Sequence, residues 1–475
     1  MPEDELTRAM ALHQAGDLAE AERAYRAILA LNPNDADAAS YLGVLLHQLH
    51  RSEEAIGLLR HAVAIRPDAA AIHSNLGIAL AGAKQWAAAE QSLRAALRLQ
   101  PGFLPAILNL GNVLLAGDRL TESREMYNAA RRTYPESAEA WNGLGDVYQS
   151  MREVGPAVAA YRRAIALRNL PVARVGLAST YLLAGHLAEG WPLYESRWEL
   201  SGRSPGAGFD RPRWDGSDLD SRTILLHAEQ GLGDTIQFIR YVPLVKARGG
   251  KTIVLVPPML RRLLNGQQGV DRVVSDREAV GDVDVQCPLL SLPGVFGTTL
   301  EMIPNAVPYL HVDAEKVSAW RSRFAGTKPR VGIAWAGSRQ HRNDAKRSIA
   351  FNNLHSLLRT PDIDWVSLQV DRCEHEDALN DWTSRLHDLT DTAALIANLD
   401  LAICIDTAVA HLAGALGKPT WLLLPYSPDW RWMWQREDSP WYPTMRLFRQ
   451  ATPGDWSGPI QRVAAELHHV RHICR

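Results

Sequence analysis

A period of 34 residues governs the first 200 positions of this 475-residue chain. Pro33, Pro67, Pro101 and Pro135 keep it, and so do Leu42-Gly43, Leu76-Gly77, Leu110-Gly111 and Leu144-Gly145. A bulky track runs through Tyr25, Leu59, Leu93, Tyr127 and Tyr161, and a mostly small one through Ile28, Ala62, Ala96, Ala130 and Ala164. Self-similarity at such a period marks a chain built from one supersecondary unit stacked on copies of itself. A single unit cannot bury its own apolar face, so about three are the minimum for a stable stack. Five are clear. A sixth follows one residue out of phase, with Leu177-Ala178, Tyr181, Gly185 and Gly190-Trp191-Pro192-Leu193-Tyr194.

This register resembles the tetratricopeptide repeat. The resemblance implies a right-handed α-solenoid over residues 1–200, five clear repeats plus a degenerate sixth. The small residues let paired helices approach closely, and the prolines end each second helix. Terminal repeats are usually atypical, because one face meets something other than a repeat. The sixth is therefore expected to pack on the domain that follows, with Trp191 and Trp198 as anchors. The first helix of each unit lines the groove of such a solenoid. Asn75 and Asn109 are equivalent there, and Asn112 lies one turn on. Side-chain amides in a row can bond the backbone of an extended peptide whatever its side chains. Similar rows occur in protein O-GlcNAc transferases. Asn75, Asn109 and Asn112 are thus the expected acceptor groove, against the plainer reading of solvated polar residues.

The composition is that of an ordinary globular protein, with 46% hydrophobic and 22% charged residues. A net charge of −2 argues against nucleic acid or an anionic membrane as the main partner. No apolar run approaches the roughly 20 residues that span a bilayer. The opening Met-Pro-Glu-Asp-Glu has no apolar stretch of the signal-peptide kind. Cys287, Cys373, Cys404 and Cys474 are dispersed without a CxxC pair, which suits a reducing cytoplasm and speaks against a zinc site.

Residues 201–222 are rich in Gly, Pro, Ser and Asp and read as a linker or surface wrap. An α/β pattern begins at Thr223. Thr223–Leu226 is a short β-favouring run, followed by a turn holding Gly231 and Gly233, then Asp234 and the helical spacing of Ile236, Ile239 and Val242. Pro243 should kink or open that helix. Further strands are expected over 251–256 and 282–285, with a short helix over 259–264 between them. A second α/β half starts at Arg330. Strands are expected over 331–335, 364–368, 401–405 and 419–424, and helices over 352–359, 392–399 and from Asp406. Alternating strands and helices imply a parallel sheet with ligands at the strand C-terminal ends.

Two such halves around a cleft resemble the GT-B architecture of sugar-nucleotide glycosyltransferases. Gly231-Leu-Gly-Asp234 looks like the N-terminal motif of the bacterial ADP-heptose:LPS heptosyltransferases (glycosyltransferase family 9). Asp406-Thr-Ala-Val-Ala-His411-Leu-Ala-Gly-Ala-Leu-Gly-Lys-Pro419 looks like their donor-binding motif. The resemblance covers about 223–475, and implies an acceptor-side half over 223–312 and a donor-side half over 313–475. Fused to repeats, it is similar to bacterial glycosyltransferases thought to modify proteins such as flagellin or adhesins. Two features depart from the heptosyltransferases. The loop after the first strand of the second half is longer, with Arg339, His341, Arg342, Lys346 and Arg347. An aromatic segment, Tyr426 to Trp434 and Trp441-Tyr442, is not a feature associated with those enzymes.

By this resemblance Asp234 is the general base that deprotonates the acceptor hydroxyl, where its bland alternative is a helix cap. The helix from Asp406 and Thr407 should aim its amides at the donor diphosphate. Gly337 and Ser338 close the strand end beneath it, and Arg347 is the cation chosen for the leaving phosphate in place of a metal ion. Asp406 would bond sugar or ribose hydroxyls. His411 would face the donor or be a core histidine, and most of the aromatic segment would be structural, with Trp430 or Trp432 the ring to touch ligand. The chain is expected to be a metal-independent, inverting glycosyltransferase without a cofactor beyond its nucleotide-sugar substrate. The acceptor would be a protein recruited by the repeats. The competing readings are a repeat adaptor whose α/β half has lost catalysis, and an enzyme acting on a lipid-linked glycan.

Overall fold

A computed structural model describes residues 2–201, 208–341, 343–370 and 379–473. The chain divides into two compact units, Met1–Gly176 and Leu177–Arg475.

The first unit is a helical solenoid of antiparallel pairs: Pro2–Ala15 with Leu18–Leu31, Ala36–Gln48 with Ser52–Ile65, and Ala70–Gly82 with Trp86–Leu99. Leu104–Ala116 with Leu120–Thr133 and Ala138–Ser150 with Val154–Leu167 complete it. The sequence tracks now have a mechanical meaning. A Cβ on Gly43 would stand 2.6 Å from Leu59, on Gly77 2.6 Å from Leu93, on Gly111 2.7 Å from Tyr127 and on Gly145 2.6 Å from Tyr161. Each glycine of a first helix is the socket for the bulky residue of the second. Each alanine of the small track is fully buried, and Ala62 packs with Ile72 of the next repeat, so this track admits the neighbouring unit.

One recurrent feature escaped the sequence. The turn between the two helices holds a left-handed residue at Gly16, His50, Lys84, Asp118 and Arg152, with φ of 85°, 60°, 59°, 57° and 63°. These residues share a backbone conformation and no side-chain chemistry, so nothing in the letters marks them.

In the second unit the helix Leu187–Tyr194 turns its apolar face to the α/β region. Trp191 is buried, donates from Nε1 to the Thr298 carbonyl at 2.9 Å, and meets Trp430 edge-on at 5.4 Å. Trp198 is buried beneath the Arg197 guanidinium. The repeat register runs to residue 200, but the compact solenoid ends at Gly176 because the sixth repeat commits its large side chains here.

Among the described residues two parallel sheets follow. The first has the order β3-β2-β1-β4, from β1 (Thr223–His227), β2 (Lys251–Leu255), β3 (Arg272–Val274) and β4 (Val285–Pro288). The second has the order β10-β9-β8-β5-β6-β7. Its strands are β5 (Arg330–Ala334), β6 (Asp364–Ser367), β7 (Leu379–Asn380), β8 (Leu401–Ile405), β9 (Thr420–Leu424) and β10 (Met445–Arg449). Every residue of β8 and β9 is buried, as expected of central parallel strands covered on both faces. The chain order reverses between β1 and β4 and between β5 and β8, and ligand crevices open at such points. The first sheet extends back to the 208–222 stretch, where Arg213 bridges to Gln286 and Trp214 is buried. The helix after β1 is broken as Pro243 demands, into Leu232–Phe238, a 3-10 turn Ile239–Tyr241 and Val242–Lys246. Strands β3, β7 and β10 were not read from the sequence, and β4 lies three residues beyond its expected start.

A paired substitution tests the socket packing. A Cβ at Gly143 would lie 2.1 Å from the buried ring of Tyr127, whereas one at Gly57, exposed and mid-helix, meets nothing within 4 Å. Alanine gains up to about 1 kcal/mol of helix propensity at either position. Overpacking at Gly143 costs about 1–3 kcal/mol. Chemical denaturation followed by circular dichroism should show Gly143→Ala destabilised and Gly57→Ala slightly stabilised.

Candidate active site

The site is assembled from the strand ends of both sheets. On the first, β1 delivers the turn Gln230–Gly233 and the helix Leu232–Phe238, with Asp234 in its first turn. The Gly231 N–H donates to Asp234 Oδ2 at 2.7 Å, so the carboxylate does cap its helix. Its other oxygen, Oδ1, accepts from Arg431 at 2.5 Å. Gly233 is there for close approach: a Cβ would lie 2.7 Å from His411 Cδ2. That contact lets the Leu232 helix lie directly against the helix Ala408–Ala415 of the second half.

On the second sheet, β8 leads to Asp406, then to Thr407 as the N-cap of the Ala408 helix. The N–H groups of Ala408 and Val409 have no protein partner among the described residues and border the cavity. Arg347 reaches over from the turn of helix Asp344–Arg347, and its Nη1 donates to the Asp406 carbonyl at 2.8 Å. Gly337 makes room for it, since a Cβ there would fall 2.5 Å from Arg347 Nη2 and 2.7 Å from Asp344 Oδ1. These elements enclose a cavity of about 810 Å³. Asp234 lines one wall, and Arg347, Asp406, Thr407 and His411 line the other. Gly337 and Ser338 border it, and Leu368, Val370, Leu386 and Leu389 form an apolar end.

The charges are unusual for their burial. Arg431 is 5% exposed and lines the cavity, yet all its nitrogens are engaged. Nε donates to Gln237 Oε1 at 2.7 Å, Nη1 to Asp429 at 2.8 Å and Nη2 to Asp234, while the guanidinium lies 4.2 Å over Trp430. Burial opposes its charge, but Asp429 and Asp234 outweigh that and hold its proton more tightly than usual. Burial, with Asp429 nearby, pushes Asp406 up to about 6. Burial and the guanidiniums of Arg431, Arg240 and Arg347 push His411 well below its ordinary range, so its ring is neutral.

Of the residues singled out in the sequence, Asp234, Gly337, Ser338, Arg347, Asp406, Thr407 and His411 share this one cavity. His341 and Lys346 also border it; Arg339 does not, and Arg342 lies outside the described residues. Trp430 is a correction. It does not line the cavity but is buried among Trp191, Tyr194, Phe238 and Trp441, because its ring carries the Arg431 guanidinium on one face. Trp432 is likewise fully buried, stacked 5.3 Å from His411. In the solenoid, the Asn75 amide donates to Ser40 Oγ and that of Asn109 to the Pro105 carbonyl. Asn112 accepts from Tyr127 at 2.7 Å. The residues that sequence reasoning passed over are Arg431, Asp429 and Gln237. The available signal was a pair of opposite charges set between tryptophans, in a segment read only for its rings.

Two kinds of known family match this chain. Tetratricopeptide repeat families match residues 6–70, 48–102, 80–147 and 138–169. Glycosyltransferase family 9 (heptosyltransferase) matches residues 385–441. Protein FlbA of Caulobacter vibrioides is 29% identical over 335 residues, 63% of this chain and 55% of that protein. The chain thus spans about half the length of this curated relative. Among solved structures, a tetratricopeptide-repeat protein of Thermus thermophilus is 22% identical, with 38% of this chain and 100% of that chain covered and a TM-score of 0.35. The MamA protein is also 22% identical, covering 35% of this chain and 92% of its own, with a TM-score of 0.31. The chain therefore carries tetratricopeptide repeats across its N-terminal part. Its α/β region is consistent with GT-B, and residues 385–441 of it match glycosyltransferase family 9.

The opposite pKa shifts of Asp406 and His411 give opposite pH signatures. The folded value of Asp406 is raised, so its contribution to stability is full below the ordinary carboxylate range near ~3.9 and is lost as pH rises through about 6. The folded value of His411 is depressed, so its contribution is present above ~6.5 and is lost as pH falls through the depressed value. Thermal melts between about pH 4 and pH 7.5 should show Asp406→Asn gaining on the parent as pH rises and His411→Asn losing ground. Gaps that do not change with pH would refute both assignments.

Proposed function

We propose that this protein transfers a sugar from a nucleotide-sugar donor to a protein acceptor, which the tetratricopeptide solenoid recruits. The observation that carries the reading is the composition of the cavity: unpartnered helix amides and Arg347 on one wall, a carboxylate on the other. Those are the two requirements of glycosyl transfer without a bound metal, an anion site for the leaving diphosphate and a base for the acceptor. The match to glycosyltransferase family 9 supports the reaction class, and the repeats support a protein partner.

In this reading the diphosphate lies at the Ala408 and Val409 amides, with Arg347 and His411 beside it. A helix end contributes only about 0.3–1 kcal/mol per exposed charge, so Arg347 supplies much of the neutralisation. The nucleoside occupies the apolar end around Leu368 and Leu389, and Asp406 bonds hydroxyls of ribose or sugar. The acceptor oxygen attacks the anomeric carbon from the Asp234 side as its proton passes to that carboxylate. The bond to the diphosphate breaks, its electron pair leaves with the phosphate, and the anomeric centre inverts. Asp234 is engaged by Gly231 and Arg431, but each carboxylate oxygen has a second lone pair for the incoming proton. Among the described residues no helix is long and apolar enough to cross a membrane. We place the reaction in the cytoplasm.

Two measurements test this. With a panel of nucleotide sugars and intact-mass detection of the acceptor, Asp234→Asn should lower transfer about 10²–10⁴-fold and leave nucleoside-diphosphate affinity nearly unchanged. Full transfer by that variant would remove Asp234 as the base. Asn75→Ala combined with Asn109→Ala should raise the protein acceptor's KM severalfold while leaving slow donor hydrolysis at its parent rate. An unchanged acceptor KM would show the asparagines to be ordinary solvated residues.

A further inference from the structure

Behind His411, away from the cavity, lies a buried polar chain that the proposed mechanism does not use. Arg240 is 4% exposed and has no carboxylate partner among the described residues. Its guanidinium lies between the rings of Tyr309 and Tyr442, 4.4 Å from each centroid, and Nη2 donates to the Tyr309 hydroxyl at 2.9 Å. Tyr309 in turn donates to the Ile236 carbonyl at 2.9 Å. That fixes where its single hydrogen goes. Tyr442, fully buried, has two neighbours for its own hydrogen: the Tyr309 oxygen at 3.4 Å and His411 Nδ1 at 2.8 Å. Only the second is at good hydrogen-bond distance.

The consequence falls on the far side of the imidazole. If Nδ1 accepts, a neutral ring must carry its proton on Nε2. Nε2 lies on the cavity side, next to Gly233 and 3.9 Å from Asp406 Oδ1. Turned over, the ring would set a carbon against the Tyr442 hydroxyl and lose that 2.8 Å hydrogen bond, while Trp432 stacks on its face at 5.3 Å. We propose that Tyr442 is a positioning residue which fixes His411 as the Nε2–H tautomer, so that His411 offers the cavity a hydrogen-bond donor and not a proton acceptor. The ligand it suits is an anionic oxygen, which under the function proposed above is the diphosphate of the donor; that half of the inference rests on that reading. The family 9 match ends at Trp441, one residue before Tyr442.

The test uses the full chain labelled with ¹⁵N-histidine, and the substitution Tyr442→Phe, which keeps the ring beside Arg240 and removes only the hydroxyl. In the parent near neutral pH, the His411 resonances should show protonated Nε2 and bare Nδ1. In Tyr442→Phe that pattern should be lost or mixed, whereas Tyr309→Phe should retain it. Affinity for ADP, CDP, GDP or UDP, whichever binds the parent, should fall about three- to tenfold in Tyr442→Phe, the worth of one hydrogen bond. A parent with protonated Nδ1 would overturn the proposal, as would a Tyr442→Phe variant with unaltered tautomer and affinity, or a Tyr309→Phe variant that loses the pattern equally. Binding of a nucleoside diphosphate with the wrong tautomer would overturn this inference alone. The right tautomer with no binding of any of the four would overturn the ligand half together with the donor-site reading.

Discussion

The guanidinium of Arg431 is the contact on which the α/β region depends. It is buried, arises from the second α/β half, and bonds Asp234 and Gln237 of the first as well as its own neighbour Asp429. Losing either side of such a buried pair leaves an uncompensated charge, at a cost of about 3–5 kcal/mol. The arrangement sets the register between the helix that carries Asp234 and the helix that carries His411. Gly233 then permits the two to touch. Asp234 and the Ala408 helix are thus held at a fixed separation by a residue from the aromatic segment.

The aromatic segment around Arg431 has its meaning from the same requirement. A guanidinium out of water needs hydrogen-bond acceptors in its plane and polarisable surface above it. Asp234, Asp429 and Gln237 supply the first, and Trp430 at 4.2 Å supplies the second. Trp191 of the sixth repeat packs edge-on against the same Trp430. Arg240 repeats the device one turn along the chain from Gln237, between Tyr309 and Tyr442. Dense tryptophan and tyrosine here pack around buried cations.

What was legible in the sequence follows from this. The solenoid was readable because its packing repeats: a glycine socket, a bulky plug and a small spacer recur every 34 residues, each selecting a side-chain type. The left-handed turns repeat just as faithfully but select only a backbone angle, so His50, Lys84, Asp118 and Arg152 carry no common mark. In the α/β region the central strands were found from their apolar runs. The short or peripheral β3 and β7 were missed, and β10 hides in the mixed string Met445–Arg449. Residues that border the cavity along one motif could be picked out together. Arg431 was not, because its partners lie 197 and 194 residues away in the chain and no local pattern encodes a long-range pair.

The same two halves also meet where the helix Pro258–Leu264 packs on the helix Leu389–Ile396, and the ion pair there is of a different kind. Beyond the apolar end, Arg262 of the helix Pro258–Leu264 donates to Asp388, the N-cap of helix Leu389–Ile396, at 2.9 Å. The Arg262 side chain is 55% exposed. An exposed pair of this kind is worth only about 0–1 kcal/mol, and salt screens it further. Breaking the Arg431 contact would strand buried charges, whereas breaking the Arg262 ion pair itself costs little and leaves the packing of the two helices in place.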